Sequence, residues 1–181
     1  IDISLIDNFD KHPFKVIEND ELEKLKDSIR ENGILSAIIV RQKDNGRYEL
    51  ISGHRRKYAC QLLEMDKIPC VIKNLSDDEA TIYMVDSNLQ REKILPSEKA
   101  FAYRMKLEAI RHQGKTTSRQ LVGKFESADV IGNDNGDSGR TVQRYIRLTY
   151  LIPKLLQIVD NYDLGDEPKI AFNPAGQLSF L

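Results

Sequence analysis

The chain has 181 residues, 40% hydrophobic and 30% charged, with a formal net charge of −1. That length builds one large or two small domains, the composition is that of a soluble globular protein, and no apolar run approaches the roughly 18 residues needed to span a membrane. No signal peptide opens the chain, so a cytoplasmic protein with no membrane partner is expected; Ile1 in first place reads as the start of a piece cut from a longer protein.

In chain order, Asp20 and Glu23 have capping-box spacing, Leu22, Leu25 and Ile29 share one helical face, and Gly33 stands where a left-handed C-cap would end that helix. Ala37-Ile38-Ile39-Val40 reads as a buried strand, Asp44-Asn45-Gly46 as a hairpin turn, and Tyr48-Glu49-Leu50-Ile51 as the returning partner. A helix follows from about Arg55 to Glu64, then a strand from Ile68 to Ile72, and Ser76 with Glu79 caps a helix running towards Asp86. Beyond that the strands stop. Pro96 suits a first helical turn, and Ala100, Tyr103, Leu107 and Ile110 keep a 3-4-3 spacing up to an expected stop at Gly114. Thr117 and Gln120 cap a helix carrying Leu121, Val122 and Phe125, two short helices flank a turn at Gly136, and Pro153 precedes a Leu155–Val159 helix. The reading is α+β: a small mixed-sheet domain over 1–94, then an all-α domain over 95–181. Cys60 and Cys70, ten apart and without a second Cys/His pair, read as reduced core thiols rather than zinc ligands.

Charge is distributed unevenly. Residues 1–94 hold 15 Lys and Arg against 18 Asp and Glu, residues 95–150 hold 10 against 6, and residues 151–181 hold 2 against 4. A basic middle between acidic flanks suits a phosphate-binding module. Three constellations carry chemistry. Ser52-Gly53-His54-Arg55-Arg56 joins a strand to a helix, where a glycine admits close approach, a helix start offers unpaired N–H groups, and two arginines supply forked donors for phosphate. Asp86-Ser87-Asn88-Leu89-Gln90-Arg91 gathers polar groups at a helix junction, which suits either sugar and phosphate contacts or a hydrogen-bonded connector. Over 128–149, Gly132, Gly136 and Val142 have the spacing of a helix-turn-helix whose second helix starts near Ser138. Val142, Tyr145 and Ile146 form its apolar face, while Gly139, Arg140, Thr141, Gln143, Arg144 and Arg147 are expected to face outward to read bases and phosphates. Arg119 and Lys124 on the preceding helix join them as expected DNA contacts.

Taken together these residues resemble the ParB family of partition proteins, which shares a ParB/sulfiredoxin-like N-terminal fold and includes sporulation, plasmid and mobile-element relatives. Ser28-Ile29-Arg30-Glu31-Asn32-Gly33-Ile34 resembles the family's first box, Gly53-His54-Arg55-Arg56 with Ala59 its Gly-Glu-Arg-Arg box, and Asn88-Leu89-Gln90-Arg91 with Pro96, Glu98 and Ala100 its third box. Lys169-Ile170-Ala171-Phe172 and Leu178-Ser179 resemble the segment after the helix-turn-helix. The resemblance implies recognition of a centromere-like site on double-stranded DNA and a first domain that clamps on DNA with CTP and magnesium. It places the nucleotide at Gly53, His54, Arg55, Arg56, Asn88 and Arg91 and the metal at Asp86 and Asn88. It further implies a ParA-type ATPase as partner and homodimerisation through a segment outside this chain.

Three positions depart from the family pattern: His54 stands for the box glutamate, Ser87 for the glutamate before Asn88, and Ala37 for a proline. Loss of two carboxylates predicts at most a weak CTPase, with no catalytic residue assigned. Two other readings share the fold. A small-molecule kinase leaves the helix-turn-helix unexplained, and a sulfiredoxin needs a thiol where this chain has Gly53. A transcription regulator needs the same recognition helix as a partition protein, so sequence does not separate the two.

Overall fold

The computed structural model describes residues 1–91, 93–116 and 124–178. The chain forms two compact units, Ile1–Met84 and Val85–Leu181.

Unit 1 holds β1 (Ile6–Asp7), α1 (Asp20–Asn32), β2 (Ile38–Gln42), β3 (Tyr48–Ser52), α2 (His54–Leu62), β4 (Cys70–Ile72) and the start of α3 (Asp77–Leu89). The sheet order is β1-β3-β2-β4, with β2 antiparallel to β3 and both edge strands parallel to their neighbours. It is the mixed sheet expected. Leu22 and Ile29 of α1 pack with Ile38, Val40, Leu50, Ala59, Cys60 and Ile68 into one core. Arg41 and Glu49 are register partners across β2 and β3, joined at 2.6 Å; Arg41 also reaches Asp77 at 2.6 Å.

Several boundaries move for local reasons. Asn19, not Asp20, caps α1: its side chain accepts the Leu22 N–H, which leaves Asp20, Glu21 and Glu23 in the first turn, where the helix dipole favours them. Strand β4 starts at Cys70 rather than Ile68, because Pro69 has no N–H to give a ladder. The α3 capping box is as read: the Ser76 N–H and Oγ donate to Glu79, and the Glu79 N–H returns to Ser76 Oγ. Both thiols are free, Cys60 buried and Cys70 half-buried, and burial pushes both up in pKa.

Unit 2 comprises the end of α3 and then α4 (Pro96–Thr116), α5 (Lys124–Asp134), α6 (Gly139–Leu148), α7 (Pro153–Leu164) and α8 (Phe172–Leu178). Helix α4 does not stop at Gly114, where the residue stays helical. The proposed cap at Thr117 and Gln120, with Leu121 and Val122, lies outside the described residues, as does Arg119. Asp160 of α7 takes both the Ser97 N–H at 2.9 Å and its hydroxyl at 2.6 Å, satisfying a donor at the start of α4. Tyr103, Leu107, Ala128, Ile131, Val142 and Ile146 form one core cluster; Ala100, Leu148, Leu151, Leu156, Val159 and Ala175 form another. Among the described residues, no helix is long and apolar enough to cross a membrane. The sequence boundary at 94 and the unit boundary after Met84 fall on either side of the end of α3.

Candidate nucleic-acid interface and nucleotide loop

Helices α5 and α6 are joined by the four residues Asn135–Ser138. Gly136 takes a left-handed φ of 73° there, and the Asp137 N–H returns to the Gly132 carbonyl at 2.9 Å. A Cβ on Gly132 would stand 2.5 Å from the Asp137 carbonyl oxygen and within 3.1 Å of two further backbone atoms, so the helix end and the turn touch without side chains between them. Asp137 is the turn's anchor. Its carboxylate accepts the buried Tyr103 hydroxyl at 2.5 Å and meets Lys99 at 2.7 Å. Burial and that carboxylate push the Tyr103 phenol far up, so it stays a neutral donor.

Ser138 caps α6 through the Thr141 N–H at 3.1 Å, and the two hydroxyls are 2.9 Å apart. Val142, Ile146 and Leu148 are buried, while Arg140 and Arg147 are exposed. Arg140, Arg144 and Arg147 follow i, i+4, i+7 spacing and so form one stripe. Of the six residues expected outward, Gly139 is buried and Thr141, Gln143 and Arg144 are half-buried. Gly139 is buried at the α5–α6 crossing, where a Cβ would lie 2.8 Å from Asp129 Cγ and 2.9 Å from its backbone nitrogen. It belongs with Val142 and Ile146 on the 3-4 packing face. Gln143 is half-buried, and its Nε2 has no hydrogen-bond partner among the described residues. Arg144 is half-buried, donates to Asn173 at 2.5 Å and lies 5.7 Å over the Phe172 ring. Of Lys124 only the backbone is described.

In unit 1, Gly53 occupies the strand-to-helix corner at φ 105°. A Cβ there would meet Ile38 Cγ2 at 2.6 Å, so only glycine fits both the dihedral and the space. The two arginines after it diverge. Arg55 is half-buried, with Nη1 on Glu21 at 3.0 Å and a buried Nε without a hydrogen-bond partner among the described residues. Arg56 turns back on the loop before β2, donating to the Ser36 carbonyl, to Ser36 Oγ at 2.9 Å and to the Ala37 carbonyl at 2.8 Å. It braces the first-box loop. His54 is buried, its ring stacked 3.7 Å from that of His12. Lys57, which the sequence reading passed over, is buried and donates to the Ile6 carbonyl at 2.7 Å and to Asn8 Oδ1 at 2.8 Å, and burial lowers its pKa.

The Asp86–Arg91 constellation lies in unit 2. Asn88 is buried and Arg91 half-buried. Asp86 does not offer an open seat for a metal: the buried Lys106 ammonium lies 2.6 Å from its carboxylate and 3.1 Å from Asp134. With Lys106 already balancing its carboxylate, Asp86 together with the Asn88 amide is a poor match for a magnesium ion, which favours several free oxygen ligands.

These features define a class: a small mixed-sheet α+β domain with a glycine-cornered strand-to-helix loop, followed by a helical unit. The ParB N-terminal domain family model matches residues 1–89. Residues 1–89 therefore belong to the ParB N-terminal domain family. It is 40% identical over 116 residues to a nucleoid occlusion protein of Listeria monocytogenes, a match covering 64% of this chain and 40% of that one. With the nucleoid occlusion protein of Geobacillus thermodenitrificans the identity is 42% over 115 residues, covering 64% and 41%. The match thus spans about two fifths of the length of these relatives. Among solved structures, the C-terminally truncated ParB of Caulobacter crescentus, complexed to the centromeric parS site, is similar over 98% of this chain and 82% of its own (20% identity, TM-score 0.59). A Pnob8-like ParB N-domain is similar over 99% and 78% (16% identity, TM-score 0.63). These likenesses establish the fold.

Proposed function

We propose that the chain is a sequence-specific DNA-binding protein that reads its site with α6 and answers to a cytidine nucleotide at the Gly53 corner. The observation that carries the DNA half is the α6 stripe. Three arginines lie along a helix whose opposite face is sealed into the core and whose start is fixed by a glycine-tight turn. That is the design of a recognition helix in a helix-turn-helix. Its first turn, with Arg140, reaches base edges, and its later turns reach backbone. The solved ParB complex with parS supports the same use of the fold. The name of the curated relatives favours a role in nucleoid occlusion over partition in the strict sense. A ParA-type ATPase, homodimerisation and nucleoid association belong to the whole protein under this proposal.

The nucleotide half rests on the family resemblance and on the corner itself. Gly53 admits close approach, α2 begins beside it, and Arg55 has an Nε without a hydrogen-bond partner among the described residues. Arg55 is therefore the phosphate contact and Arg56 the brace. With His54 buried and the Asp86 carboxylate held by Lys106, hydrolysis is slow or absent. The test is Arg140→Ala against a duplex selected from a random pool and against random duplex. Loss of about 1–3 kcal/mol on the selected duplex, with relaxed specificity, is expected; unchanged affinity for both refutes the assignment.

A further inference from the structure

We infer that a cleft between α6 and α8 seats a single DNA backbone phosphate and that Asn173 positions Arg144 for it, a step that rests on the DNA-binding proposal above. The cleft has a volume of about 250 Å³ and is lined by Arg144, Arg147, Asn173, Gly176 and Gln177. Two guanidiniums, two carboxamides and a glycine line it, with no carboxylate among the described residues. Such a lining selects an anion. The volume falls short of the roughly 300–1,000 Å³ that holds drug-sized ligands, which favours one phosphoryl group over a nucleotide. Arg144 is held ready: Asn173 Oδ1 accepts from Nη2 at 2.5 Å, and the Phe172 ring lies under the guanidinium at 5.7 Å. Asn173 keeps an NH2 group to donate elsewhere. The place on the helix fixes the ligand as backbone. Arg140 stands one turn nearer the start of α6, where base edges are read, and the cleft flanks the later turns, where a duplex turns its phosphates towards the protein. Gly176 forms an open wall, because a Cβ there meets nothing within 4 Å.

That wall gives a test that leaves both arginines in place. A duplex selected from a random pool is bound by the whole chain, by Gly176→Leu, by Asn173→Ala and by Arg144→Gln/Arg147→Gln, each over a salt series. The same duplex is then scanned with single neutral methylphosphonates. At one backbone position per half-site, neutralisation should weaken the parent about tenfold and the double-glutamine variant no further. Gly176→Leu should lose the same coupling without any fall in melting temperature, and the salt slope should fall by about one for each charge removed. Asn173→Ala should weaken all duplexes alike without altering sequence preference. Absence of any coupled position, while Arg140→Ala still relaxes specificity, overturns the cleft and leaves the DNA reading standing. Binding of inorganic phosphate at the cleft without a coupled position overturns the backbone assignment. Failure of the parent to bind any duplex overturns both.

Discussion

Replacing Gly132 by alanine adds one methyl group at the tightest point of the α5–turn–α6 arrangement. Alanine gains about 1 kcal/mol over glycine in helix propensity. Against this, the new Cβ would lie 2.5 Å from the Asp137 carbonyl oxygen, 3.0 Å from the Ser138 carbonyl carbon and 3.1 Å from that of Asp137. All three are backbone atoms, so no side chain can swing away, and the turn itself must shift. Overpacking costs about 1–3 kcal/mol, and a site walled by backbone falls at the upper end. The net expectation is a loss of about 2 kcal/mol, or about 8–16 °C in melting temperature for a unit of this size. Because Asp137 also takes Tyr103 and Lys99, the shift should accelerate amide exchange along the start of α6 and weaken DNA binding. Gly176→Ala is the matched control: its Cβ meets open space, so it should gain up to about 1 kcal/mol. Thermal and chemical denaturation with hydrogen exchange read all of this. A Gly132→Ala protein as stable as the parent would refute the close approach of helix end and turn.

Arg56→Ala removes three bonds to the Ser36–Ala37 loop and should lower stability by about 2 kcal/mol in urea denaturation. Arg55→Ala removes an exposed pair with Glu21 worth at most about 1 kcal/mol, yet should abolish CTP binding in calorimetry; retained CTP affinity would count against the nucleotide corner. Tyr103→Phe leaves Asp137 with Lys99 alone and should cost about 1 kcal/mol, with exchange rising first at Asp137 and Ser138. Glu79 is held below the ordinary carboxylate range by the Ser76 N–H and hydroxyl. Its contribution is therefore complete above the unfolded pKa and lost as pH falls through the folded one, so the start of α3 should fray in acid, seen as faster Ser76 amide exchange, and Glu79→Gln should remove that pH dependence.

The elements that packing and turns define were legible in the sequence. Asp44-Asn45-Gly46 marked the β2–β3 hairpin, Ser76 with Glu79 marked the α3 cap, and Gly132, Gly136 and Val142 marked the α5–α6 turn. What was not legible depends on partners far along the chain. Adjacent Arg55 and Arg56 read alike as phosphate donors, and only the fold brings Ser36 and Ala37 to Arg56. Nothing in the sequence singles out Lys106, yet it is buried with its ammonium on Asp86 and Asp134, so the Asp86 carboxylate is already engaged. Gly139 was misread for a reason within reach of sequence: counting 3-4 steps from Val142 and Ile146 places it on the buried face, and smallness at a crossing outweighs its position at an apparent surface.

The arrangement of α6 bears on how tightly one unit can bind. At its start the helix is fixed by the Ser138 cap and by a turn whose aspartate is bonded to Tyr103 and Lys99 of α4. Towards its other end, Arg144 is tied to Asn173 of α8, and Tyr145 packs on Phe172 with ring centroids 4.3 Å apart. A recognition helix held at both ends loses little further freedom when it enters a groove, and an arginine already paired with a carboxamide loses little side-chain entropy when it meets a phosphate. Ordering an exposed, rotamer-rich side chain on binding costs about 0.5–1.5 kcal/mol. Arg140, exposed on the first turn, bears that cost in full, whereas Arg144 has already met it in folding. Under the proposed DNA-binding role, the base-reading residue is then the exposed one and the backbone-reading residue the one held in place, a division that would let the phosphate contact set the register in which Arg140 meets its base.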